Sequence, residues 1–232
     1  MSVEVIAEVS TNHGGHLSLA KEFIDAFAPH VDTIKFQLTR VKHLRADSQW
    51  NWFRRAELTL DQFAELKSEC EKRGKNFLLT VYNANDVWEL VELGCKRVKI
   101  GSGEAGESYL AHVVAAAELK PIVSCGLHTP SNTSYPASTV FLGCVTRYPA
   151  PDGLAALALQ SNPTLSGWSD HAVGLNELKA AACVGARILE THVCLPQQAR
   201  EHRWFEKTVD NMNELRVFLA ADPKRFLGRW QG

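Results

Sequence analysis

A chain of 232 residues with 45% hydrophobic and 22% charged residues has the composition of a soluble globular protein with a full core, in one large domain or two small ones. Lys plus Arg is 25 and Asp plus Glu is 26, a formal net charge of -1, so no basic excess argues for nucleic acid as a partner. No apolar run approaches the roughly 18 residues of a membrane helix, and the opening stretch lacks the basic-then-apolar layout of a signal peptide.

In chain order, the first apolar run is "VEVIAEVS" from Val3, followed by a helical pattern from Leu17 that puts Leu19, Phe23, Ile24 and Phe27 on one face. "TIKFQLT" from Thr33 leads into the longest aperiodic segment, Arg40 to Glu57, whose Trp50, Trp52 and Phe53 suit a flap over a site, an oligomer contact or a packed loop. A helix from Thr59 opens with a capping box to Gln62 and ends at Gly74. "NFLLTVY" from Asn76 precedes the helical "ANDVWELVELG", and "RVKIGSG" from Arg97 precedes "ESYLAHVVAAAELK", closed by Lys120 and Pro121. After "PIVSCG" the connection "LHTPSNTSYPAS" is polar and Pro-containing, so its helix is short or missing. "TVFLGCV" from Thr139 is followed by a modest "GLAALALQ", "TLSGWSDH" from Thr164 by "LNELKAAACVG", and "ARILETHV" from Ala186 by "VDNMNELRVFLAA".

Eight short β-rich runs alternating with helices imply right-handed β-α-β units and a parallel sheet. The expected fold is α/β, a single compact (β/α)8 TIM barrel over residues 1–232, with a doubly wound sheet as the alternative. The six cysteines form no C-x-x-C pair and sit mostly in apolar surroundings, which predicts reduced, mostly buried thiols in a cytoplasmic protein.

A barrel builds its active site from the C-terminal ends of its strands, so the polar residues there carry the functional reading. The first strand offers Glu8, Ser10, Asn12 and His13, the second Lys35 and Gln37, the third Thr80. The fourth offers Lys99, Ser102 and Glu104, and the fifth Ser124, with His128 just beyond. The last three offer Thr146, Arg147 and Tyr148, then Ser169, Asp170 and His171, then Glu190 and His192. Two buried lysines among hydroxyls suit a phosphate or carboxylate. His171 and His192, on adjacent strands, face one centre and suit a divalent ion with room for water and substrate, with Glu8 beside them as base or metal-water partner. Asp170 suits a turn cap or a support for the histidine.

The segments "IAEVSTNHGG", "TIKFQ", "VKIGSGE", "CVTRYPAP", "GWSDHAVG" and "ILETHV", in this order, resemble the N-terminal barrel of the sialic acid synthase family. That resemblance implies metal-dependent condensation of phosphoenolpyruvate with an aldose or amino-sugar aldehyde, giving a 2-keto-3-deoxy sugar acid and phosphate. It implies a phosphoenolpyruvate cradle of Lys35, Thr80, Lys99, Ser102, Ser124, Ser169 and Thr146, and metal ligands His171 and His192. The metal implied is Mn²⁺, with Mg²⁺ or Co²⁺ as substitutes. Glu8 would be the acid beside metal and aldehyde, and Gln37, Glu104 and Tyr148 would line the acceptor pocket. Glu201 would stand for an acidic residue of a family segment. Family members are commonly dimers and continue into a small C-terminal antifreeze-like domain. This sequence ends at "FLGRWQG", so the barrel alone is expected. "LTVY" and "SCGL" stand where the family has "STPF" and "STGM", which leaves the acceptor side open. A Schiff-base aldolase using Lys99 or Lys35 and a non-catalytic sugar-binding barrel are the rival readings.

Overall fold

The computed structural model describes residues 2–43, 51–106, 108–127, 134–198 and 205–229. Eight parallel strands close into a barrel: β1 (Glu4–Ser10), β2 (Thr33–Leu38), β3 (Asn76–Val81), β4 (Arg97–Ile100), β5 (Lys120–Ser124), β6 (Val140–Cys144), β7 (Leu165–Asp170) and β8 (Ile188–His192). β1 pairs with both β2 and β8, which decides for the barrel over the doubly wound sheet. Around it lie α1 (Leu17–Phe27), α2 (Asn51–Arg55), α3 (Leu60–Lys72), α4 (Val87–Glu92), α5 (Ser108–Ala116), α6 (Ala155–Ser161), α7 (Asn176–Cys183) and α8 (Val209–Ala220).

Side chains alternate across each strand, and this period of two makes two cores. Val5, Ala7 and Val9 of β1 face outward onto Phe23, Ile24 and Phe27 of α1. Burying a side chain of that size contributes roughly 1.5–3 kcal/mol. Ile6, Leu78, Ile122, Leu142 and Ile188 face inward and form a separate apolar plug. Two residues further along the same strands stand Glu8, Thr80, Ser124, Cys144 and Glu190, all buried. The plug is therefore the floor on which a polar ring rests. Below it Arg97 donates to both carboxylate oxygens of Glu4 (2.7 and 2.5 Å), and Thr33 Oγ1 donates to Glu4 at 2.6 Å. This knot ties β1, β2 and β4 at the base.

Two glycines permit close approach. A Cβ on Gly167 would lie 2.0 Å from the carbonyl oxygen of Ile188, so β7 and β8 meet only because the side chain is absent. Gly15, at φ +82, lets the chain after β1 pass close to Arg55, whose carbonyl oxygen would lie 2.4 Å from a Cβ at that position.

The helices follow their sequence signals with local differences. The capping box of Thr59 and Gln62 opens α3 as expected, and Thr208 with Asn211 makes a second one at α8. On α1 it is Ala20, not Leu19, that is buried with Phe23, Ile24 and Phe27, because Ala20 completes the i, i+3, i+4, i+7 row. Among the described residues, no α-helix lies between β5 and β6. The aperiodic segment contains α2, and its Phe53 packs edge-on against Tyr82 after β3 (5.7 Å between centroids). Arg40 at its start is buried and donates through Nε to Glu89 of α4 at 2.8 Å, while its Nη1 donates to the Leu58 carbonyl at 2.6 Å. Residues 44–50 of that segment, on which the flap and oligomer-contact readings fall, lie outside the described residues. All six cysteines are thiols and none is in a disulfide. Among the described residues no helix is long and apolar enough to cross a membrane.

Candidate active site

The polar ring is a single hydrogen-bonded network. Lys35 Nζ is ion-paired with Glu8 in close contact, donates to Thr80 Oγ1 at 3.0 Å and lies 3.6 Å from Glu190 Oε1. From β4, two strands on, Lys99 Nζ donates to Ser124 Oγ at 2.8 Å and to the carbonyl of Ile100 at 3.0 Å, and lies 3.7 Å from the same Glu190 oxygen. Ser169 Oγ donates to that oxygen at 2.9 Å, and Gln37 Nε2 donates to Glu8 Oε1 at 3.1 Å. Two ammonium groups and a hydroxyl thus converge on one carboxylate oxygen. The strand ladder explains the meeting: Glu8 pairs with Lys35, Thr80 with Lys99, and Ser169 with Glu190 in register.

The charges follow from burial and neighbours. Burial pushes Lys35 down, but Glu190 and Glu8 outweigh it and its pKa is raised. Burial dominates at Lys99, whose pKa is lowered despite Glu190. Burial raises Glu8 against the pull of Lys35, whereas at Glu190 the two lysines and Ser169 overcome burial and lower the pKa. Glu8 is thus the carboxyl of the pair readier to carry a proton.

Beside the ring stands an aromatic cluster. His171, one residue past β7, and His192, the last residue of β8, have ring centroids 5.4 Å apart. Nδ1 of His171 donates to the Val145 carbonyl at 2.6 Å, which leaves the Nε2 lone pair facing the Tyr148 hydroxyl at 3.0 Å. Tyr148 also stacks near His171 (4.1 Å), and Phe205 packs edge-on against both Tyr148 (5.0 Å) and His192 (5.5 Å). Burial lowers the pKa of both histidines, that of His192 well below its ordinary value. Both imidazoles are neutral at pH 7, the form that ligates a metal. The donor set therefore fits a divalent ion at His171 Nε2 and His192, once the Tyr148 hydroxyl yields its place. Among the described residues no group of three or more His, Cys, Asp or Glu gathers as a metal site.

The structure brings Glu8, Lys35, Gln37, Thr80, Lys99, Ser124 and Ser169 into one network and His171, His192 and Tyr148 into the cluster beside it. Ser102 is half-buried at the rim and donates to the Cys144 thiol, and the Glu104 carboxylate lies over Gly101. Thr146 is exposed on the loop after β6 and outside the network. Glu201 falls outside the described residues. Glu190 is the residue whose weight sequence reasoning missed, since its place at a strand end gives no sign that both lysines point at it. The signal was its parity with Ile188 and His192, which puts all three inside the barrel. Phe205 and Lys207 were missed for a different reason: they lie beyond the strands and reach the site only through the fold.

The profile of the NeuB family matches residues 24–204. The chain belongs to the NeuB family. Among curated members, N,N'-diacetyllegionaminic acid synthase of Campylobacter jejuni is 30% identical over 224 residues, covering 82% of this chain and 67% of its own length. N-acetylneuraminate-9-phosphate synthase of Drosophila melanogaster is 26% identical, covering 87% of this chain and 63% of its own length. The chain thus spans about two thirds of the length of these family members. The crystal structure of N-acetylneuraminic acid synthetase from Leptospira borgpetersenii superposes with a TM-score of 0.86 at 24% identity, over 97% of this chain and 85% of that one, and shares the fold.

Proposed function

We propose that this NeuB-family barrel condenses phosphoenolpyruvate with an aldose or amino-sugar aldehyde, releasing phosphate and a 2-keto-3-deoxy sugar acid. The observation that carries the reading is the convergence of Lys35, Lys99 and Ser169 on the single Glu190 oxygen. Three donors aimed at one buried internal anion are a site built for an anion. The family relatives named above are an N,N'-diacetyllegionaminic acid synthase and an N-acetylneuraminate-9-phosphate synthase, which supports the choice of reaction.

In this reading Lys35, Lys99 and the hydroxyls of Thr80, Ser124 and Ser169 hold the phosphate and carboxylate of phosphoenolpyruvate. Their charges neutralise the phosphate as it becomes a leaving group. C3 of phosphoenolpyruvate attacks the aldehyde carbon, and the electron pair of the aldehyde C=O moves to its oxygen. Glu8, its pKa raised by burial, delivers the proton to that oxygen. Water adds at C2, phosphate departs, and the ketone remains. Gln37, Glu104 and Tyr148 line the acceptor side. His171 and His192 would hold a divalent metal, Mn²⁺ by preference, which supplies Lewis-acid polarisation of the aldehyde. Six cysteines with none in a disulfide suit a reducing, cytoplasmic compartment.

The test is phosphate release from phosphoenolpyruvate in the presence of a panel of aldoses and amino sugars, with and without Mn²⁺. Release should need acceptor and metal, and His171→Ala should remove it. Undiminished turnover after chelation would end the metal reading. The lowered pKa of Lys99 keeps one rival in play, a Schiff base on its amine. Borohydride trapping of a keto substrate on Lys99 decides for that rival. Flat turnover across the panel with retained sugar binding decides for a binding barrel.

A further inference from the structure

The Lys207 side chain is fully buried at 0% exposure, outside the strands and outside the cradle. Its ammonium is ion-paired with Asp170 Oδ2 at 3.0 Å and donates to the Ala172 carbonyl at 2.6 Å and to the Phe205 carbonyl at 2.8 Å. Asp170 and Ala172 are the two chain neighbours of His171, so one cation holds the Asp170 carboxylate on one side of that histidine and the Ala172 carbonyl on the other. The Lys207 main chain does the same for the other histidine. Its N–H donates to the His192 carbonyl at 2.8 Å, and its carbonyl accepts from Cys194 N at 3.1 Å. Its second neighbour, Phe205, packs its ring on Tyr148 and His192.

This grip falls where the barrel ladder stops. His171 lies one residue past β7, and the β7–β8 register ends at Asp170 and Thr191. Beyond that point no β7–β8 ladder bond sets the distance between the two imidazoles. We infer that Lys207 is a positioning residue that fixes the separation and orientation of His171 and His192. It does so by clamping the β7 corner with its side chain and the end of β8 with its backbone. Asp170 is its counter-ion, and its second oxygen caps the turn by accepting from Ala172 N at 3.0 Å. The inference extends the proposed metal role of the histidine pair but concerns the protein alone.

Lys207→Met removes the ammonium at similar length. Because it strands the buried Asp170 carboxylate, the Asp170→Asn, Lys207→Met double variant is made alongside it. The double variant removes the charge while the grip on the Ala172 and Phe205 carbonyls stays lost. Two readouts are taken on folded, metal-free protein. The imidazole Hε1–Cε1 signals of His171 and His192 should move in both variants, while that of His112, on α5 beside β4 and β5, stays in place. In Mn²⁺ titrations, affinity should fall about 10-fold to 100-fold, the usual loss when a support of a metal ligand is removed. Unmoved His171 and His192 signals in the folded double variant would overturn the inference. If the parent protein itself binds no Mn²⁺, the metal reading falls, and the imidazole signals alone still decide whether Lys207 positions the pair.

Discussion

The residues of the site depend on one another through buried charge. Lys35 stands between Glu8 and Glu190 with its side chain 4% exposed. Breaking a buried pair by removing one partner is costly because the other charge stays behind, typically about 3–5 kcal/mol. Lys35→Met is therefore expected to lose about 3 kcal/mol of stability in urea unfolding, and also to lose phosphoenolpyruvate binding. Adding Glu8→Gln should return part of the stability and none of the binding. A double variant no more stable than Lys35→Met would show that Glu8 is already neutral in the folded protein, consistent with the direction in which burial drives it. Lys35 and Glu8 were both legible as strand-end polar residues. Their pairing was not, because register across β1 and β2 is a property of the closed sheet.

Elements were legible where a local rule chooses them. The capping box at Thr59 opens one helix without help from the rest of the chain, because a side-chain oxygen satisfies an N–H three residues away. The apolar runs were legible because a strand buried on both faces has no alternation to confuse it. The short α2 was not, since five residues cannot show a period of 3.6. Contacts between elements need more. Gly167 is unremarkable in the sequence, yet its missing Cβ is what lets β7 lie against β8. Gly167→Ala is expected to cost at least about 2 kcal/mol, by the scale of overpacked cores, and to part the two strands that carry His171 and His192. Thermal unfolding checks the first effect and loss of Mn²⁺ binding checks the second. A variant as stable as the parent would mean that the barrel relaxes there freely.

At the scale of the whole molecule, the barrel is tied at its base as well as at its mouth. Burial alone would raise the pKa of Glu4, but hydrogen bonds from Arg97 and Thr33 and the charge of Arg97 outweigh it and leave the pKa lowered from 4.5. A carboxyl whose folded pKa is depressed stabilises the fold above its unfolded pKa and loses that contribution as pH falls through the folded value. The barrel should therefore lose stability as pH drops below about 4.5. Glu4→Gln should be less stable at neutral pH and show a flatter acid limb. Equal pH slopes for the two proteins, measured by urea midpoints between neutral and acid pH, would remove Glu4 from the account of acid unfolding.

Chain order, hydrophobic period and capping signals by themselves determined the α/β class, the eight strands, their order around the barrel and the ring of polar residues at their ends. Each of these is written in near neighbours or in the alternation of a strand, so it survives in one dimension. The tertiary structure alone decided that Lys35 and Lys99 aim at Glu190, that Tyr148 and Phe205 wall the histidine pair, and that Lys207 braces it. Those contacts join residues far apart in the chain, and they exist only once the stagger of eight paired strands has set which side chains share a level inside the barrel.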